Sequence, residues 1–293
     1  KSGCLIFFNF AGAELGVSCG CNQLNATNSM TISPVDIKVM TLPQLSQGQE
    51  WRLLLAQDRA YHLLVWVTRG QGRILLDGQR RGVGTHNAIW VPAGSLFALD
   101  LGRQGMAQTV IIPPGAPLRL PEMPRHLRIR DVAVQSELST LIEAASREQS
   151  KARPLAQDAL EAHTALISVW VRRQIMQDEH VPDRRNAAAR LSKLFCDLVP
   201  HRFRSGAAMA EYAETLNVTP THLTRAVKAA TGKTAADLLT ERILSEARSL
   251  LIETRQPAQA IARHLGFGSA AYFTRFIQNH TGQPPSKLRG TAR

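Results

Sequence analysis

The last third of this 293-residue chain says nearly the same thing twice, and that repeat limits the possible folds more than any other feature. Ala213-Glu214-Thr215-Leu216-Asn217, followed by Leu223-Thr224-Arg225 and Thr231-Gly232, returns as Ala262-Arg263-His264-Leu265-Gly266, Phe273-Thr274-Arg275 and Thr281-Gly282. Arg225 and Arg275 stand fifty positions apart. Each copy follows the logic of a helix-turn-helix. A small Ala sits where two helices cross closely, then comes a tight turn at a residue that tolerates positive φ, Asn217 in the first copy and Gly266 in the second.

The second helix of each copy is amphipathic. Leu223, Ala226, Val227 and Ala230 share one face in the first, as Phe273, Phe276 and Ile277 do in the second. The opposite face carries Thr221, Thr224, Arg225 and Lys228 in the first copy and Ala270, Ala271, Thr274, Arg275 and Gln278 in the second. Arg pairs with the O6 and N7 acceptors of guanine, small residues approach a thymine methyl, and hydroxyls reach bases or phosphates. A single arginine on a helix is ordinarily a solvated surface group; two at the same place in duplicated units argue for a shared task. Between the copies, Leu238, Leu239, Ile243, Ala247, Leu250 and Leu251 pattern a helix from about Thr234 to Thr254. Such a helix spans roughly 30 Å, close to the ~34 Å between successive major grooves on one face of DNA.

Charge points the same way. The chain carries +12, and from Arg184 onward 17 Lys+Arg oppose 7 Asp+Glu, a net +10 that leaves +2 for the first 183 residues. A basic module on a near-neutral one fits a polyanion partner, because neutralising phosphates releases counterions. A basic membrane-surface domain would need clustered Lys/Arg opposite bulky apolar residues on one helix, and the region has none; no run approaches about 18 uninterrupted apolar residues. Of four cysteines, Cys4, Cys19 and Cys21 lie near the start and Cys196 stands alone, which is neither a disulfide framework nor a zinc pattern and fits a reducing cytoplasm. Residues 1–29 read as a disordered or non-native extension before Met30, with a signal-like segment ending near Cys19 as the alternative.

From about Val35 to Pro114 the pattern changes to short apolar or alternating runs: Trp51–Ala56, His62–Thr68, Arg73–Leu76, Ala88–Val91, Leu96–Leu101 and Ala107–Ile112. Turn residues separate them, Asp77-Gly78 being the clearest hairpin signal, as an all-β sandwich or barrel requires. A proline-rich stretch, Pro113 to Pro124, closes the region. After it the period becomes helical, first with Leu138, Leu141, Ile142 and Ala145, then in a longer helix from Leu155 to Met176. Leu160, Leu166, Ile167, Trp170, Val171 and Ile175 form its apolar stripe. The stripe has two readings, packing on the β region or joining two copies into a homodimer. Asp183-Arg184-Arg185-Asn186 reads as a short polar linker.

The C-terminal motifs resemble the AraC/XylS family of regulators. The likeness runs from Leu223-Thr224-Arg225 and Thr231-Gly232 through Glu241-Arg242, Leu250-Leu251, Ile261-Ala262 and Gly266-Phe267 to Tyr272-Phe273-Thr274-Arg275, Gly282-Gln283-Pro284-Pro285 and Leu288-Arg289. The second unit departs from the family pattern at Gly268, Gln278-Asn279 and Leu288, which bears on the phosphate affinity expected of it. The β region resembles the cupin-like arm of the same family through Val67-Thr68-Arg69-Gly70-Gln71-Gly72 and Trp90-Val91-Pro92-Ala93-Gly94. Cupin enzymes hold a metal with a His-x-His pair, a Glu and a later His. Here His62 has no such partner and Phe97 falls where the later His is expected; His62 with His86 is the best remaining pair.

The expectation is therefore an α+β protein: an extension over 1–29, a cupin-like β-barrel or sandwich over 30–125 that senses an effector, and a helical connector over 126–183. An all-α DNA-binding domain with two helix-turn-helix units follows over 184–293. The resemblance implies binding to double-stranded promoter DNA, activation through RNA polymerase, a small-molecule effector and no catalysis. Trp66, Trp90 and Phe97 are candidates for an effector pocket, though strand aromatics are commonly core; no metal or other cofactor is expected. The alternatives are a metal-dependent cupin-type enzyme with a basic appendage and a non-specific architectural DNA binder.

Overall fold

The chain folds as a stack of layers, seen here in a computed structural model that describes residues 36–151, 153–178 and 186–290. The expectations for residues 1–29 and for positions 183–185 of the polar linker lie outside the described residues; Asn186 caps the helix that follows. In chain order the first elements are β1 (Lys38–Thr41), α1 (Leu42–Leu45), α2 (Trp51–Leu54), β2 (His62–Arg69), β3 (Gln71–Leu76) and β4 (Gln79–Gly84). Then come β5 (Asn87–Val91), β6 (Phe97–Asp100), β7 (Met106–Ile112) and β8 (Arg125–Arg128). Two long helices follow, α3 (Val132–Lys151) and α4 (Ala156–Asp178).

The strands make two antiparallel sheets, a larger one in the order β1-β7-β2-β5-β8 and a smaller one in the order β4-β3-β6. Side chains alternate across a strand, and this alternation decides what each sheet touches. Leu63, Val65 and Val67 of β2 and Ile89 and Val91 of β5 point at Ile74 and Leu76 of β3 and Phe97 and Leu99 of β6, filling the space between the sheets. Leu64 and Trp66 of β2 and Ala88 and Trp90 of β5 point the other way, into a second core closed by Leu138 and Ile142 of α3 and Ile167, Trp170 and Val171 of α4. Trp66 and Trp90 therefore do not line a pocket inside the sandwich, and Phe97 is a core residue there.

The β3–β4 turn at Asp77-Gly78 is the expected hairpin, with φ of 54° and 68°, the two positive values a type I′ turn needs. Three expectations change. Trp51–Ala56 is not a strand; Trp51–Leu54 is a helical turn and Leu55 leaves it extended. The β region does not end in the proline stretch, because β8 lies beyond it and pairs with β5. The α4 stripe is spent on the chain's own large sheet, with Leu160, Ile167, Trp170, Val171 and Ile175 buried there, so it is not a free dimer face; Leu166 points out to solvent.

The rest of the chain is helical: α5 (Ala187–Arg202), α6 (Met209–Thr215), α7 (Pro220–Thr231), α8 (Ala235–Glu253), α9 (Ala258–His264), α10 (Ala270–Thr281) and α11 (Pro285–Gly290). Residues 35–293 form one unit by their contacts, and the outer face of the smaller sheet joins this helical core. Leu75 of β3 and Ala98 of β6 belong to the same apolar cluster as Phe195 and Val199 of α5, Leu223 of α7 and Leu238 of α8. The hairpin docks there too: Ser192 Oγ donates to the Gly78 carbonyl at 2.7 Å and Lys193 Nζ meets Asp77 at 3.1 Å. A Cβ on Gly78 would lie 2.5 Å from the Lys193 backbone, so glycine serves both the turn and the docking. Among the described residues, no helix is long and apolar enough to cross a membrane.

Candidate nucleic-acid interface

The two helix pairs are built with the same local chemistry. Ala213 of α6 and Ala262 of α9 are almost wholly buried where their helices cross. Each short helix then ends in a left-handed residue, Asn217 at φ 54° and Gly266 at φ 76°. The backbone N–H of the next residue reaches back to the crossing alanine, Val218 to Ala213 at 3.0 Å and Phe267 to Ala262 at 2.9 Å. That six-to-one bond is the Schellman closure, which satisfies orphan carbonyls and turns the chain. The turn roles read from the sequence for Asn217 and Gly266 are those the structure displays.

Each second helix opens on a hydroxyl cap. Thr219 accepts from the His222 N–H at 3.2 Å, with Pro220 at the first helical position, and Ser269 accepts from the Tyr272 N–H at 3.1 Å. Each closes on glycine at positive φ, Gly232 at 78° and Gly282 at 71°. Thr231 and Thr281 donate back to the Val227 and Ile277 carbonyls, both at 2.8 Å. Between these ends Leu223 and Val227 in α7, and Phe273 and Ile277 in α10, are buried to the last atom or nearly so.

The opposite faces stay open. Thr221, Arg225 and Lys228 are exposed and Thr224 is half-buried; Ala271, Arg275 and Gln278 are exposed, with Ala270 and Thr274 half-buried. The Thr274 hydroxyl donates to the Ala270 carbonyl at 2.9 Å. Among the described residues no carboxylate pairs with Arg225 or Arg275. All nine residues singled out from the sequence thus fall on these two helix faces, none of them buried. Two neighbours outside the set nominated from the sequence are exposed beside it. Exposed His222 follows Thr221, and Tyr272, 61% exposed, lies one helical turn before Arg275 with its ring 5.7 Å from Phe267. Helical spacing from Arg275 is the signal that finds Tyr272.

Between the pairs runs α8, from its Thr234 cap to Glu253, within a residue of the expected limits. Thr234 and Asp237 form a reciprocal capping box, and hydrogen bonds from Thr234 hold the Asp237 carboxyl below its ordinary range. At ~1.5 Å per residue the helix is about 28 Å long.

Elsewhere the candidate metal pair does not come together. His62 and His86 lie near opposite ends of the β2–β5 ladder, about 20 Å apart at ~3.4 Å per residue. His62 stacks on Trp90 and accepts the Ala93 N–H at 3.1 Å, and burial lowers its pKa; His86 stacks on Trp66. Cys196 is buried in α5, which pushes its thiol up to about 12 and makes it a packing residue.

Residues 212–291 match the family model described as a helix-turn-helix domain. No curated protein matches the chain. Among solved structures, the C-terminal domain of AraT, a response regulator from Geobacillus stearothermophilus, shares 28% identity over 37% of this chain and 88% of that one, with a TM-score of 0.33. A transcriptional regulator with an AraC-type DNA-binding domain from Chromobacterium violaceum shares 23% identity over 36% and 96%, with a TM-score of 0.33. ToxT from Vibrio cholerae O395 shares 11% identity over 88% and 98%, with a TM-score of 0.39. These superpositions are loose, and the domain match is what assigns residues 212–291.

Proposed function

We propose that this chain, whose residues 212–291 are a helix-turn-helix domain of the AraC type, is an effector-responsive activator that reads promoter DNA with α7 and α10. The observation that carries the reading is the duplication of one design: two second helices, each anchored by a buried face and each offering an exposed arginine at the same place. Arg225 and Arg275 are assigned to guanine edges. Thr221, Thr224, Ala270, Ala271 and Thr274 serve base or thymine-methyl contact, and Lys228 and Gln278 contact the backbone or a base edge. Duplicated groove-reading faces suit base readout better than the architectural alternative, which needs only cationic surface.

The effector enters this proposal through the β domain. The space between its sheets is filled by apolar side chains, so a small molecule is better accommodated outside them. A cleft of about 380 Å³ lies between the smaller sheet and the helical domain, lined in part by Arg73, Arg80, Leu75, Leu99, Lys233 and Leu238. A ligand there would touch both parts at once. Activation by contact with RNA polymerase, and a cytoplasmic site of action, follow from the same reading.

The test is selection of duplexes from a random pool by the full-length chain, followed by a reporter driven by the enriched site. The expected result is one enriched sequence, bound at least about a thousandfold tighter than unrelated DNA, and raised transcription when the chain is expressed. Binding that ignores sequence would leave the architectural alternative. An unchanged or lowered reporter on a specific site would remove the activator role.

A further inference from the structure

We infer that Asp58, in the β domain, is a positioning residue for the second recognition helix, acting through a chain of charges that runs from buried Arg242 to the α9–α10 turn. This rests on the DNA-binding reading given above.

The chain of contacts starts at Arg242, in the middle of α8. Its side chain is only 4% exposed, and its Nε donates to an Asp58 carboxylate oxygen. A buried guanidinium needs partners, because leaving one unpaired is strongly unfavourable. Its second partner is Glu246, one helical turn on, which Arg242 Nη1 meets at 3.0 Å. Glu246 uses its other oxygen to accept from Arg204 Nη2 at 2.7 Å. Burial works against ionisation of Glu246, yet Arg242 and Arg204 together hold its carboxyl below the ordinary range. Phe203 packs against both cations, with the Arg242 guanidinium 3.9 Å and the Arg204 guanidinium 4.6 Å from its ring centre.

The last link is made by backbone. The Arg204 carbonyl and the Gly206 N–H press against Gly266, the left-handed residue of the second turn. A Cβ on Gly266 would sit 2.6 Å from that carbonyl oxygen and 2.5 Å from that nitrogen. Gly266 is three residues from the Ser269 cap of α10, so whatever fixes residues 204–206 fixes where α10 begins. The α6–α7 turn is tied differently: Arg202 Nη1 donates to Thr215 Oγ1 at 2.6 Å near the end of α6, and among the described residues Arg202 makes no ion pair with Glu246 or Asp58. Asp58 therefore bears on one recognition helix and not equally on both.

Double-mutant binding cycles on the duplex selected by the unaltered chain test this. Asp58→Asn and Arg204→Met are each measured alone, with Arg225→Ala and with Arg275→Ala; Arg204 lies at the exposed end of the network, so its variant decides if Asp58→Asn fails to fold. The expected weakening is about tenfold alone and beside Arg225→Ala, but under about twofold beside Arg275→Ala, where α10 has already lost its grip. Equal weakening in the two arginine backgrounds, or none in any, overturns the assignment. Failure of the unaltered chain to select a sequence would instead overturn the DNA-binding reading itself, so the two failures are distinct.

Discussion

Arg225 and Arg275 do equivalent work in this account, and each can be tested by itself. Replacing either with Ala is expected to cost about 1–3 kcal/mol on the selected site and to relax base preference at one position. Binding to single-base variants of the site checks this; equal weakening on every duplex would reduce the arginines to phosphate contacts. The crossing alanines are a matter of stability rather than recognition. Ala213 and Ala262 are buried where their helices cross, so Ala213→Leu and Ala262→Leu should each destabilise the fold by about 1–3 kcal/mol, read from the denaturant midpoint. These residues were legible because their roles are local: a crossing, a turn and a cap each demand a residue type within a few positions. Asp58 was not legible, since its partner Arg242 stands 184 positions away and no local rule links them.

At the level of elements, periodicity found the strands that bury both faces or alternate cleanly, such as β2, β5 and β7. It missed β4, which has one buried apolar residue among arginines and glycines, and β8, an edge strand written Arg125-His126-Leu127-Arg128. It also took Trp51–Ala56 for a strand, because a short apolar run is ambiguous between helix and strand. The edge strand carries its own prediction. Burial, with Arg128 and Arg81 nearby, lowers the His126 pKa to about 4, while its Nε2 lies 2.6 Å from Asn87 Oδ1 on β5. The unfolded chain takes up that proton first, near 6.5. The stability due to a neutral His126 is therefore complete above about pH 6.5 and is lost as pH falls toward about 4, by up to about 3 kcal/mol. Denaturant midpoints at pH 7 and pH 4.5 should show the decline, and His126→Gln should flatten it; an equally steep decline in the variant would assign the acid sensitivity to other groups.

The whole molecule is a sandwich between two helical layers. One layer, α3 and α4, uses up the apolar stripe that was read as a possible join between two copies; the other holds the helix-turn-helix domain and is continuous with the outer face of the smaller sheet. The basic excess in the last third falls in the layer that holds the helix-turn-helix domain, and composition alone made that excess visible. The way the layers join was not visible, because it depends on which side of each strand faces which core. The central claim is that α8 holds the two recognition helices at a separation suited to successive major grooves on one side of the duplex. Binding to the selected site with about five base pairs inserted between its two halves measures this most directly, since half a helical turn puts the halves on opposite sides. The account predicts that the insertion reduces affinity to that of a single half-site. Affinity unchanged by the insertion would contradict it.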